Sequence, residues 1–237
     1  MRVVTVGLLL SLVLPSVGRA TDLTIRQRVT TTGPRAETHE ATEYVTTTRR
    51  ITDDPTHRTI VDLDARTLTV LDKTRKTYTV TTFDQLRAQM EAARKQLDAM
   101  PPEARKMMGG MDAEVTLHPT GKTEKIAGYE AKEYALSGGP TTGAVWVTEE
   151  IELPSKSEDW DKFRGAIGGA SGPGSKLGEA MAKLKGFPLR TNVTYSVGPI
   201  TAGYATEVLS VSAQAAPPDV LTIPADTRKV APRAPGE

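Results

Sequence analysis

From Thr21 to about Thr82, hydrophobic and polar residues alternate with the two-residue period of strands buried on one face. Leu23, Ile25 and Val29 point one way, and Thr24, Arg26, Arg28 and Thr30 the other. The pattern predicts strands at 22–32, 42–51, 57–64, 67–72 and 76–82. Between them lie turn-forming residues at Gly33-Pro34, Asp53-Asp54-Pro55, Asp64-Ala65-Arg66 and Asp72-Lys73-Thr74-Arg75. Short spacers predict antiparallel neighbours in a meander. Threonine on the outward positions fits strands with one wet face.

The period then changes. Phe83, Leu86, Met90, Ala93, Leu97 and Met100 recur at three- and four-residue intervals behind Thr82-Phe83-Asp84-Gln85, which resembles a capping box. This is an amphipathic helix. Pro101-Pro102 interrupts it and opens a further turn from Glu103 to Met108, which Gly109-Gly110 ends, so the helical excursion spans roughly 83–109.

Strand patterning returns at 113–119, 122–127, 130–137 and 143–149, punctuated by Pro119, Gly128 and Gly138-Gly139-Pro140. A second helical excursion follows. Ser155-Lys156-Ser157-Glu158 caps a short helix with Trp160, Phe163 and Ile167 on one face. Beyond the glycine-rich link Gly168 to Gly174, a further helix carries Leu177, Met181 and Leu184 and stops at Gly186. Leu189, Thr191, Val193, Tyr195 and Val197 then share one strand face, and Ala205, Glu207, Leu209 and Val211 mark the next run. Leu221 and Ile223 suggest a short edge strand, and residues 229–237 form a proline-rich, flexible tail.

The first twenty residues read differently. Arg2, the apolar run Val3 to Leu14, and the small-residue stretch ending at Ala20 follow the order of a secretory signal cut after Ala20. About a dozen apolar residues fall short of the ~20 that cross a bilayer as a helix. The expected organisation is therefore a signal peptide at 1–20, one domain at 21–228 and the tail, in a periplasmic or secreted protein of the bacterial envelope that does not span the membrane once the signal is gone. With 30 basic and 29 acidic side chains, the net charge is +1, and it becomes −1 when Arg2 and Arg19 leave with the leader. That balance argues against nucleic acid as a partner. The chain has no cysteine, so thiol chemistry, disulfides and cysteine metal sites are excluded and the core must hold the fold by itself.

Candidate chemistry is sparse. His39, His57 and His118 lack the spacing of a metal site, which predicts no metal and no cofactor. Asp62 and Asp64 share a strand side as a carboxylate pair would, but Arg58, Arg66 and Lys73 flank them, so a solvated face is the preferred reading. No Gly-x-Ser-x-Gly is present, and Gly169 to Gly174 lacks the Lys-Ser/Thr of a phosphate loop. Apart from Met1, every methionine falls in or just after a helical excursion. Methionine fills irregular gaps in cores, and it also lines surfaces that accept varied apolar partners.

Several segments together resemble a family of exported bacterial proteins classed as domain of unknown function 4412, itself similar to lipoprotein-carrier (LolA/LolB-like) proteins. They are Ile60 to Asp64, Thr67 to Asp72, Lys76-Thr77-Tyr78, the methionine-bearing helix, Lys122 to Tyr129 and Ala144 to Thr148, with Gly186 to Arg190 and Ile223-Pro224 near the end. A cysteine common after the Gly-Tyr pair in relatives is absent, Ala131 standing nearby. The resemblance implies an α+β fold, a curled antiparallel sheet forming an incomplete β-barrel with helices over its concave face. It also implies handling of a hydrophobic small molecule, lipid or lipidated protein. The expected function is a non-enzymatic binding protein whose ligand meets Phe83, Leu86, Met90, Leu97, Met107, Trp160, Phe163 and Met181. The alternatives are an envelope interaction module with a dry core and, ranked last, a hydrolase using Asp62/Asp64 or His118.

Overall fold

The computed structural model describes residues 22–34, 36–101, 114–154, 180–181, 183–197 and 199–232. The expected leader, the turn predicted at 103–108, the short helix of Trp160 and Phe163, and the end of the tail lie outside them.

The alternating N-terminal region builds six strands: β1 (Leu23–Thr32), β2 (Glu37–Val45), β3 (Arg49–Asp53), β4 (His57–Asp62), β5 (Thr67–Asp72) and β6 (Thr77–Thr82). The helix α1 (Phe83–Asp98) follows without a gap. Its start is the predicted capping box: the Gln85 N–H donates to Thr82 Oγ1 at 3.1 Å and the Thr82 N–H to Gln85 Oε1 at 2.9 Å. The second half of the chain supplies β7 (Thr116–Ile126), β8 (Tyr129–Gly138), β9 (Thr141–Thr148), β10 (Phe187–Val197) and β11 (Ile200–Ser212), and β12 (Arg228–Lys229) ends the series.

All twelve strands join one sheet in the order β12-β6-β5-β4-β3-β2-β1-β11-β10-β9-β8-β7. It is two meanders stitched where β11 returns to pair with β1. Every pairing is antiparallel except that of β12 with β6. The sheet curls without closing, because β7 and the β6/β12 side remain separate edges. It is thus not a barrel.

Three sequence expectations are corrected. The single strand at 42–51 is two, β2 and β3, joined by a turn with neither glycine nor proline. The Thr46 hydroxyl itself makes that turn, accepting from the N–H groups of Arg49 at 2.9 Å and Thr48 at 3.3 Å. The strands at 113–119 and 122–127 are one, β7. An edge strand tolerates Pro119, and its pairing with β8 shifts register between Pro119 and Thr123 instead of breaking. The edge strand at Leu221 and Ile223 is replaced by turns, and the edge pairing falls to Arg228 and Lys229. There the Arg228 N–H donates to Lys76 O and the Val230 N–H to Tyr78 O. Lys229, read as the first residue of a loose tail, is therefore held at the sheet.

Directly opposed residues in antiparallel strands share a face, so the register sorts the side chains into two sets. One row runs Val211–Ile25–Glu43–Thr52–Thr59–Val70–Thr79 across β11, β1, β2, β3, β4, β5 and β6. This is the Ile25 face. Ile25 is fully buried, which contributes roughly 1.5–3 kcal/mol relative to an exposed side chain. The opposite face carries Arg58, Ile60, Ile51 and Tyr44. Close contact between strands requires one small residue: a Cβ at Gly143 on β9 would run into the Asn192 carbonyl of β10.

Candidate ligand-binding face

Besides the central cluster of Ile25, Val45, Leu189 and Val208, against which Leu23 and Val211 pack, two apolar clusters flank the middle of the Ile25 face. In the first, Val61 of β4 and Phe83 of α1 are buried together, with Leu63 and Leu68 packed against them. In the second, Val115, Leu136, Val145, Val147 and Val193 from the β7–β10 end surround Ala180, and Met181, Leu184, Tyr134 and Tyr195 pack on them. Ala180 and Met181 are helical, and the N–H groups of Lys183 and Leu184 donate back to their carbonyls. Gly186, at φ 107°, then turns the chain into β10. The register places Val61 and Val145 on one face of one sheet, six places apart in the strand order. Both helical segments predicted as covers therefore touch that face, each by its terminal residues.

Of the residues expected to meet a ligand, Phe83 is buried in the first cluster and Met181 half-buried in the second. The two do not share a cluster. Leu86 is half-buried on α1, and Met90 and Leu97 lie one and three turns further along that helix. Met107, Trp160 and Phe163 lie outside the described residues. Among the helix's described side chains only Phe83 is buried.

Between the two flanking clusters the face carries the Ile25 cluster and, beside it, a few charged groups. Across β1, β2, β3 and β11 its charged side chains are Glu37, Glu43 and Arg50, joined by His39 and by Tyr204. Glu43 is 4% exposed and pairs with the Arg50 guanidinium. The guanidinium meets Glu43 at Oε1, whereas His39 Nδ1, 3.4 Å from Glu37 Oε1, accepts no hydrogen bond among the described residues. Tyr204 is 44% exposed, unusual for a large apolar side chain here. Burial of its hydroxyl end, and then the Glu43 charge, raise its pKa above the ordinary tyrosine value. Periodicity named the clusters but missed the buried Glu43–Arg50 pair, because Glu37, Glu40 and Glu43 put carboxylates on both sides of β2.

The opposite face is laced with ion pairs. Arg26 meets Glu40 at 2.7 Å and Arg49 meets Asp62 at 2.7 Å. Asp62 also accepts from the Ala65 N–H, so one half of the suspected carboxylate pair is committed to a turn and an arginine. Arg58, 8% exposed, pairs with Asp53 at 2.6 Å and donates to the carbonyls of Asp219 and Thr222, holding the C-terminal segment to this side. His57 and His118 are exposed. No three His, Asp or Glu side chains among the described residues are grouped to hold a metal.

The sequence profile of the family described as Domain of unknown function (DUF4412) matches residues 36–227. The chain belongs to the DUF4412 family. No curated protein matches this DUF4412 chain. Solved structures similar to it include that of PNGF-II, at 15% identity and a TM-score of 0.45 over 91% of this chain and 31% of that one. MucB matches at 12% identity and a TM-score of 0.36, over 88% and 59%. A LolA superfamily protein from Nitrosomonas europaea matches at 9% and 0.31, over 86% and 90%. The DUF4412 chain spans about a third of the length of the PNGF-II chain. None of its described helices is long and apolar enough to cross a membrane.

Proposed function

We propose that this DUF4412 protein is an exported, non-enzymatic binding protein of the cell envelope that holds a lipid or other apolar ligand against the Ile25 face. One observation carries the proposal. A single face of an unclosed sheet bears a central apolar cluster with one on either side, and the two helical segments meet that face at the flanking clusters. A closed barrel of side chains would be filled, whereas an open sheet with helices over its concave side can exchange helix for ligand. In this reading the Ile25 face is the concave one, Phe83 and Met181 border the ligand, and Leu86, Met90, Leu97, Met107, Trp160 and Phe163 supply the movable cover.

The energies permit reversible capture. An acyl chain of about fourteen methylenes gains ~0.8 kcal/mol each on burial, roughly 11 kcal/mol in all, against several kcal/mol for association and opening. The remainder corresponds to micromolar binding. Native mass spectrometry of protein purified from the envelope, together with displacement of a fluorescent fatty acid, tests the proposal. Co-purified lipid and saturable displacement are expected, both weakened by Phe83→Ala and Met181→Ala. Protein that carries no lipid and displaces no probe overturns it.

The second reading is an interaction module with a permanently dry core. It is favoured by the near-complete burial of Ile25, Val45 and Val145. Recovery of a stable envelope partner by pull-down, with no probe bound, would select it.

A further inference from the structure

The register shifts of the sheet fall on one line. Between Arg26 and Gln27, β1 shifts against β11, where Leu209 is the extra residue beside Val208. Between Pro188 and Arg190, β10 shifts against β9, with Leu189 extra beside Val147 and Trp146. Between Pro119 and Thr123, β7 shifts against β8 beside Glu133. The intervening pairings bring the three level, because Arg190 lies opposite Glu207, the neighbour of Val208, and Trp146 lies opposite Glu133. From β1 through β2 to β6 no pairing shifts. At a bulge a residue is left unpaired and the strand bends, so bulges in line weaken the ladder along one crease while the rest of the sheet stays stiff. The crease is also a seam between apolar clusters: Leu189 and Val208 on it belong to the central cluster, and Val147 to that of Ala180 and Met181. On the opposite face Arg190, on one side of the crease, reaches Glu124 on the other through two hydrogen bonds.

From this alignment we propose that the second meander hinges along the crease, with Arg190 limiting the swing, and that the two clusters part at Leu189, Val208 and Val147 to admit an acyl chain. The hinge stands on the register, and its use for ligand entry rests on the binding reading above. A bend at this line exchanges contacts between the clusters for contacts with a chain while the first meander keeps its whole ladder.

The chain has no cysteine, so introduced pairs carry spin labels at defined sites, and electron double resonance then reads the distance between them. Thr194→Cys with Glu130→Cys spans the crease, and Thr38→Cys with Thr47→Cys spans the unshifted strand β2; all four positions are exposed. In the free protein the distance distribution across the crease is expected to be about twice as broad as that along β2, and broader still in Arg190→Met. Saturating laurate, below its micelle concentration, is expected to move the mean distance across the crease by at least about 3 Å and to leave the β2 pair unmoved. Equal widths for the two pairs in the free protein overturn the hinge, as does equal movement of both pairs with laurate. An unchanged width in Arg190→Met overturns the part given to Arg190. Bound laurate with no movement across the crease overturns its use for ligand entry. Failure of laurate to bind beside a broad crease distribution overturns the binding reading and leaves the hinge supported.

Discussion

The guanidinium of Arg190 on β10 donates to both carboxylate oxygens of Glu124 on β7, at 2.7 and 3.1 Å, although β9 and β8 lie between them. On the way it crosses the Trp146 ring at 5.2 Å, and it also holds Glu207 of β11 at 3.1 Å. The hydrogen bond donated to Glu124 leads the causes that raise the arginine pKa further. One side chain thus ties four strands of the second meander. Arg190→Met is expected to cost about 1–3 kcal/mol in urea unfolding, since it orphans two carboxylates and uncovers an indole. Glu124→Gln, at a half-exposed partner, should cost under ~1 kcal/mol. The reverse order would refute this account.

The reciprocal bonds of Thr82 and Gln85 predict a cooperative helix start. Thr82→Ala should lower stability by about 1 kcal/mol. A double-mutant cycle with Gln85→Ala should show that the second loss is smaller once the first is made. Strict additivity would show that the box does not act as a unit.

Arg58 is the fastening of the C-terminal segment, through the Asp219 and Thr222 carbonyls. Arg58→Met should raise hydrogen exchange at the amides of Arg228 and Val230, which donate to Lys76 and Tyr78, while the β1–β11 amides keep their protection. Equal protection in both proteins would show that β12 holds the segment unaided.

Asp54 predicts an acid-sensitive turn. Burial alone would raise its pKa, but donations from the N–H groups of His57 and Thr56 and from the Thr56 hydroxyl outweigh it and hold the carboxyl below the usual aspartate range. A depressed folded pKa gives stability that is present above the unfolded value and lost as pH falls through the folded one. The wild-type advantage over D54N, measured by urea unfolding, should therefore be full at pH 6 and vanish below the ordinary aspartate range. A constant difference down to pH 2 would contradict this.

The elements written most plainly in the sequence are those whose turns use backbone-selecting residues. The strand Thr67–Asp72 matches its expected bounds, and the chain enters α1 where Thr82 and Gln85 said it would. The turn at Thr46 escaped notice because a threonine hydroxyl does the work usually given to glycine or proline. Pro119 suggested a break that an edge position does not require. β12 is two residues held by partners some 150 positions earlier, which no local period can reveal. The candidate face follows the same division. Its clusters obey periodicity, whereas the placing of Tyr204 beside Thr31, in the row of Glu37, depends on β11 returning to β1, a contact between the two ends of the chain.

The outermost strand β7 exposes eight consecutive residues, from His118 to Lys125. A long bare margin of this kind could recruit copy after copy into a growing fibril. Pro119 removes an amide from that margin, the register shift kinks it, and Lys122 and Lys125 set like charges against an arriving twin. The protein can thus keep its sheet open on one side and still remain dispersed where it is crowded.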